Sequence, residues 1–158
     1  MYQKILVPID GSTTATAGLD ETIKLARACG ARLRLLHLVD ELSLVMGTGY
    51  GVAYPDDLID RLKEDGSAIL RAGEDRARAA GLTVDSVLGD NLQGGVRQQV
   101  VQQALGWGAD LIVLGTHGRR GPRRLFLGSD AEDILRHAPV PVLLVRAPTS
   151  AAAASGAS

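Results

Sequence analysis

The chain has 158 residues, of which 46% are hydrophobic and 22% charged, and this composition is typical of one folded domain rather than of a disordered chain. Its formal net charge is −1, so nothing in the overall charge points to binding of nucleic acid or of an anionic membrane. Cys29 is the only cysteine, which excludes an internal disulfide framework, and no apolar run reaches the ~18 residues that a membrane span requires. No signal peptide is visible before the first apolar run, so we expect a cytoplasmic protein.

Five short apolar runs alternate with amphipathic segments along the chain. The runs are KILVPID at 4–10, RLRLLHLVD at 32–40, LTVDSVLGD at 82–90, DLIVLGT at 110–116 and VPVLLVR at 140–146. Between them, apolar residues recur at helical spacing in the segments 12–29, 56–80, 96–107 and 131–135. Strands that alternate with helices predict βαβ crossovers and an α/β fold, an open, doubly wound parallel sheet with helices on both faces.

Two segments lie outside this alternation. The first, ELSLVMGTGYGVAYP at 41–55, is glycine-rich and has no clear period, so we expect a loop or lid beside a site. The second, PTSAAAASGAS at 148–158, consists mostly of small residues, and we expect it to be a disordered tail. The sequence therefore predicts a single domain over residues 1–147, followed by that tail.

The segment GTHGRRGPRRLFLGS at 115–129 joins the fourth strand to the last helix and contains four glycines and four arginines. It starts at the carboxyl end of a strand, where open parallel sheets bind ligands, and it ends at a helix N-terminus, which favours negative charge. Glycines let backbone amides approach an anion without an intervening Cβ, so the segment indicates phosphate binding with arginines as charge support. A solvated connection is the competing interpretation, because Ser129 and Glu132 also match an S-x-x-E capping box that needs no ligand.

The spacing G-x2-G-x9-G-[ST], formed here by Gly115, Gly118, Gly128 and Ser129, resembles the nucleotide-binding signature of the universal stress protein family. The resemblance extends over almost the whole chain, through KILVPIDGS, LHLVD, GADLIVLGTHGRRG and LRHAPVPVLLVR. It implies a Rossmann-like parallel sheet of five strands in the order 3-2-1-4-5. It also implies ATP binding in a stress response, and commonly a homodimer.

The same resemblance assigns candidate site residues one by one. Asp10 would contact the nucleoside, Pro8 and Ile9 would line its pocket, and the backbone of Val39 would contact adenine. The ribose and phosphates would be bound by Gly115, Gly118, Gly128 and Ser129, with His117, Arg119 and Asp130 as further candidates in the same segment. Two alternatives stay open, because Asp10 could instead help to cap the helix that starts near Ser12, and His117 could be an ordinary loop residue.

The resemblance departs at Asp130, since the family position after the serine is usually uncharged. A carboxylate in the first turn of a helix is stabilised by the helix dipole, by ~0.3–1 kcal/mol, without any ligand. It would also repel a triphosphate unless a divalent cation lay between them. Asp130 therefore leaves two alternatives: ATP bridged by Mg²⁺ or Mn²⁺, with Asp130 as a metal ligand, or weakened phosphate binding.

Catalytic motifs are absent from the sequence. It contains no Walker A motif, no G-x-S-x-G elbow and no H-E-x-x-H pair, and no general base is evident near the phosphates. These observations favour an ATP-binding sensor or regulatory module acting on a downstream protein. The alternatives are a slow ATPase and an interaction protein whose nucleotide site has decayed.

The last apolar run, VPVLLVR at 140–146, would be an edge strand in the order that the resemblance implies. It carries no internal charge that would discourage pairing with another strand. We therefore expect two copies of the chain to pair antiparallel along this strand in a homodimer.

Overall fold

A parallel sheet of five strands lies at the centre of the domain. The computed structural model describes residues 1–41, 44, 46, 56–116 and 128–147. Within them the strands are β1 (Lys4–Pro8), β2 (Arg32–Val39), β3 (Val84–Asp90), β4 (Leu111–Gly115) and β5 (Val142–Val145). Their order is β3-β2-β1-β4-β5, and every neighbouring pair is parallel. The predicted doubly wound sheet and its order 3-2-1-4-5 are therefore confirmed.

Helices cover both faces of this sheet and follow the strands as βαβ crossovers require. They are α1 (Thr13–Cys29), α2 (Asp56–Ala79), α3 (Gly95–Trp107) and α4 (Ser129–His137). Side chains of α1 and α2 form one core cluster with the sheet, and side chains of α3 and α4 form a second cluster. Because both faces are covered, the central strands β1 and β4 are buried almost throughout, which explains their continuous apolar runs. No helix in the described part of the chain is both long enough and apolar enough to cross a membrane.

The direction of winding reverses at β1. This strand pairs with β2 on one side and with β4 on the other, so the chain builds the sheet first outward from β1 in one direction and then in the other. Ligands of open α/β sheets bind beyond the carboxyl ends of the strands at such a reversal. Here α1 starts beyond the end of β1 and α4 starts beyond the end of β4, so both helix N-termini belong to this edge of the sheet.

The start of the segment 41–55 differs from the expected loop. Glu41, Leu44 and Met46 have a helical backbone, so the expectation is wrong for these residues. Glutamate, leucine and methionine are all strong helix formers, and the glycines of the segment begin only at position 47. Residues 42, 43, 45 and 47–55 lie outside the described residues, as does the expected tail at 148–158.

Candidate functional site

The turn between β1 and α1 is held by Asp10. Its Oδ1 accepts a hydrogen bond from the Ser12 N–H at 2.9 Å, and Gly11 between them has a φ of 78° that glycine adopts freely. Ser12 then caps α1, since its Oγ accepts a hydrogen bond from the Ala15 N–H at 3.1 Å. Asp10 thus supports the start of α1 through Ser12, which is similar to the helix-capping role that the sequence left open for it. A carboxylate can accept several hydrogen bonds, so its expected contact with a nucleoside stays a prediction.

The ends of β1 and β2 are connected through Ile9. Its N–H donates to the Leu36 carbonyl at 2.8 Å, and its carbonyl accepts a hydrogen bond from His37 Nδ1 at 2.8 Å. The Ile9 side chain belongs to the core cluster of α1 and α2, Val39 is also buried, and Pro8 is half-buried. The structure therefore places the Ile9 side chain in the core, and the expected nucleoside pocket of Pro8, Ile9 and Val39 stays a prediction.

Gly115, the last residue of β4, lies against the first turn of α1. A Cβ at this position would be 2.7 Å from the carbonyl oxygen of Thr14 and 3.1 Å from the nitrogen of Ala15. Both are backbone atoms, which cannot rotate away as a side chain could. Gly18, one turn further along α1, is also close, because a Cβ there would be 3.5 Å from the Gly115 nitrogen. The packing of α1 on β4 therefore requires glycine at position 115 whether or not a ligand binds.

The backbone of Thr116 forms two hydrogen bonds directly after the end of β4. Its N–H donates to the Val145 carbonyl at 2.9 Å, and its carbonyl accepts a hydrogen bond from the Gly128 N–H at 3.2 Å. These two bonds connect β4 with β5 and with the start of α4. Residues 117–127, including the candidates His117, Gly118 and Arg119, lie outside the described residues. Sequence reasoning missed Thr116, and the only signal was a polar residue directly after a buried strand.

The start of α4 has no side-chain cap among the described residues. Gly128 is the N-cap, with φ −57° and ψ 148°, and its carbonyl accepts a hydrogen bond from the Glu132 N–H at 2.9 Å. No described atom lies within 4 Å of a Cβ built on Gly128. The first amides of an α-helix have no partner within the helix, so α4 itself leaves the N–H groups of Ser129, Asp130 and Ala131 unsatisfied. These amides and the positive end of the helix dipole favour an anion at this point.

The expected capping box at Ser129 is wrong. Ser129 is the first helical residue rather than the N-cap, and the Glu132 side chain pairs with Arg136 at 2.8 Å instead of reaching back to the helix start. The physical reason is the hydrogen bond between Gly128 and Thr116, which fixes the entry of the chain into the helix one residue earlier. Helix capping therefore does not explain the serine at position 129, and its side chain is exposed at the N-terminus of α4.

Asp130 is exposed in the first turn of α4. No group of three or more histidine, cysteine, aspartate and glutamate side chains within the described ranges is arranged to hold a metal ion. The expected role of Asp130 as a ligand of Mg²⁺ or Mn²⁺ therefore stays a prediction, as does its contact with a nucleotide.

A polar pair at the same edge of the sheet was not anticipated from the sequence. Asn91 is 6% exposed, and its Nδ2 donates to Asp40 Oδ1 at 2.7 Å. Asp40 directly follows β2 and Asn91 directly follows β3, so the pair links the carboxyl ends of these two strands. The available signal was their position, because polar residues that follow buried strands lie at the ligand-binding edge of a parallel sheet.

Comparison with known proteins agrees with this architecture. The model of the universal stress protein family matches residues 1–146. A universal stress protein of Thermus aquaticus is 36% identical over 150 residues, which span 92% of this chain and 100% of the relative. A crystal structure from the same family in Burkholderia pseudomallei is 34% identical with a TM-score of 0.73, and the match covers 90% of this chain and 95% of that one.

A second solved structure is described as a universal stress protein in complex with cAMP. It is 25% identical to this chain with a TM-score of 0.65, and the match covers 93% of this chain and 98% of that one. The family match over residues 1–146 and the shared fold lead to one conclusion. The chain belongs to the universal stress protein family.

Proposed function

We propose that the chain is an adenine-nucleotide-binding regulatory module, with ATP as the ligand that the family signature implies. The observation that carries this proposal is the start of α4. Gly128 is the N-cap and provides no side chain, and no described atom occupies the space beside its Cα. Helix amides that lack partners, together with the helix dipole, form a binding site for phosphate. This start lies beyond the carboxyl end of β4, next to the strand at which the winding reverses.

The nucleoside would lie beyond the carboxyl end of β1, beside the turn between β1 and α1 that Asp10 stabilises. Asp10 and Gly115 are brought to the same edge because α1, which starts just after Asp10, packs with its first turn on Gly115. A relative that is 25% identical was solved with cAMP, which supports an adenine nucleotide as the ligand class. His117, Gly118 and Arg119 belong to the segment that connects Thr116 with Gly128, and they are the proposed additional contacts to the phosphates.

The regulatory role includes a homodimer in this proposal. Among the described strands, β5 pairs only with β4, so it lies at an edge of the sheet. Leu144 on this strand is 36% exposed, and Leu135 on α4 is 42% exposed. An apolar edge strand of this kind favours pairing with another strand, and a second copy pairing along 140–146 would cover it. The downstream partner would then recognise the dimer in its nucleotide-bound or nucleotide-free form.

Mass spectrometry of the small molecules released on denaturing the purified chain tests the proposal. Recovery of an adenine nucleotide in an amount comparable to the protein is expected, followed by calorimetric titration of the emptied chain. If no nucleotide is recovered and titration of ATP gives no heat of binding, the chain is an interaction protein with a decayed site. Release of inorganic phosphate from bound ATP would instead support the alternative of a slow ATPase.

A further inference from the structure

The buried ring of His37 forms a hydrogen bond with the end of β1. Only 8% of His37 is exposed, and its Nδ1 donates to the carbonyl of Ile9 at 2.8 Å. A carbonyl oxygen can only accept, so Nδ1 carries the proton in this contact. His37 is a residue of β2 and Ile9 directly follows β1, so a side chain here joins two neighbouring strands at the carboxyl edge of the sheet.

The opposite edge of the ring lies against α2. A Cβ built on Gly66 would be 2.6 Å from Cδ2 and 3.0 Å from Nε2 of His37, the two atoms across the ring from Nδ1. It would also be 2.9 Å from Cδ1 of Leu88, the residue of β3 that pairs with His37. Because glycine has no Cβ, the backbone of α2 can lie directly beside the ring. The ring is therefore enclosed between α2 and the Ile9 carbonyl, which restricts its rotation.

The hydrogen bond from His37 fixes the peptide group that leads into Asp10. The carbonyl of Ile9 and the N–H of Asp10 belong to one planar peptide group, so a fixed carbonyl sets the direction in which the chain enters Asp10. After Asp10, the Ser12 N–H donates to Oδ1 of its carboxylate at 2.9 Å. The two contacts together restrict both the backbone and the side chain of Asp10.

We propose that His37 is a positioning residue of the nucleotide site, which orients Asp10 toward the nucleoside through the peptide group of Ile9. The inference rests on the proposed function, because it requires that Asp10 contacts a nucleoside. The ring acts on the ligand indirectly, since Nδ1 is bonded to Ile9 and the opposite edge faces α2. Its effect on affinity should therefore be the same for adenosine and for ATP, which share the nucleoside.

Three substitutions of His37 separate the hydrogen bond from the packing of the ring. Asparagine and leucine have nearly the same shape, but only asparagine places an N–H as many bonds from Cα as Nδ1 is. In calorimetric titrations of the full chain, His37→Asn should bind adenosine within about threefold of the parent, whereas His37→Leu should bind adenosine and ATP about tenfold more weakly. His37→Gln places its amide where Nε2 lies, so it should resemble His37→Leu.

A double-mutant cycle distinguishes positioning from a general structural role. If His37 acts through Asp10, His37→Leu should weaken adenosine binding by less than about twofold in a chain that already carries Asp10→Ala. Thr22→Val is the matched control, because Thr22 is fully buried and its Oγ1 donates to the Gly18 carbonyl at 2.7 Å. This variant loses a buried hydrogen bond of the same kind elsewhere in the domain, so it should melt at a lower temperature and keep its adenosine affinity.

Three results would overturn the inference and leave the nucleotide site in place. The first is an adenosine affinity of His37→Leu equal to that of the parent, and the second is an equal loss in His37→Asn and His37→Leu. The third is a loss in His37→Leu that persists undiminished beside Asp10→Ala.

Absence of adenosine and ATP binding by the folded parent would instead refute the proposed function, and the inference with it. Thermal melting of each variant establishes that it is folded. If His37→Leu does not fold, His37→Asn and His37→Gln provide the comparison, and equal adenosine affinities of these two variants would contradict the positioning role.

Discussion

Gly115 and Gly128 belong to one sequence motif and lie at the end of β4 and at the start of α4, yet the structure gives them different surroundings. A Cβ on Gly115 would meet the backbone of α1 at 2.7 Å, whereas a Cβ on Gly128 would meet no described atom within 4 Å. Packing within the domain therefore accounts for the first glycine and leaves the second unexplained. A glycine that its own fold does not require is the better indicator of a ligand, and this difference supports our proposal that the phosphates bind at Gly128.

The largest effect is expected for Gly115→Ala. The added Cβ cannot be accommodated without moving the first turn of α1 away from β4, since it would contact backbone atoms of Thr14. Overpacking of this kind costs about 1–3 kcal/mol of the free energy of unfolding. Urea denaturation of the ligand-free protein measures it, and a midpoint equal to that of the parent would show that the packing explanation for Gly115 is wrong.

Substitutions at Asp10 separate its structural role from its proposed contact with the nucleoside. Asp10→Ala should weaken adenosine and ATP binding by ~1–3 kcal/mol, because a hydrogen bond to a charged group is lost. Asp10→Asn retains an oxygen that can accept the hydrogen bond of the Ser12 N–H, so it should preserve ligand-free stability better than alanine does. Calorimetric titrations and ligand-free melting of both variants are compared. Unchanged affinity in the alanine variant would remove Asp10 from the site.

The proposed dimer depends on the exposed edge of β5. Leu144→Lys would place equal charges close to each other in two antiparallel copies of this strand, which is unfavourable by about 0.2–1 kcal/mol for each pair beyond the loss of apolar contact. Leu105→Lys, at a residue of α3 that is 63% exposed, serves as the control. Light scattering at tens of micromolar should give a dimer for the parent and the control, and a lower mass for Leu144→Lys. A monomeric parent would refute the dimer outright.

The sequence predicted the elements of the fold well because its signals are local. Continuous apolar runs and helical periodicity depend on neighbouring residues, and the five strands were predicted in this way. Their order, in contrast, was predicted only from the family resemblance. The errors arose where a contact between residues that are distant in the chain determines the local structure. Ser129 looked like an N-cap, but the hydrogen bond between Thr116 and Gly128 moves the cap to Gly128.

The same limit applies within the candidate site. The packing of Gly115 against α1 and the hydrogen bond between Asp40 and Asn91 join residues that are far apart in the chain. No local pattern could reveal either contact. The sequence could therefore indicate which edge of the sheet binds a ligand, but it could not distinguish residues that the fold requires from residues that remain for the ligand.

The smallest effect on stability, and the most direct test of the proposed site, is expected for Gly128→Ala. Its φ of −57° suits alanine, which restricts the unfolded chain, but alanine is less favourable than glycine at an N-cap. The two effects offset each other, so the free energy of unfolding should change by less than about 1 kcal/mol. The methyl group should nevertheless block the close approach of a phosphate to the start of α4. Calorimetric titration of Gly128→Ala with AMP, ATP and adenosine is the decisive measurement. We expect AMP and ATP affinity to fall by about tenfold, the loss of roughly one hydrogen bond to a charged group, with adenosine affinity unchanged. If the affinities of Gly128→Ala for AMP, ATP and adenosine all equal those of the parent, the assignment of the phosphate site to Gly128 is wrong.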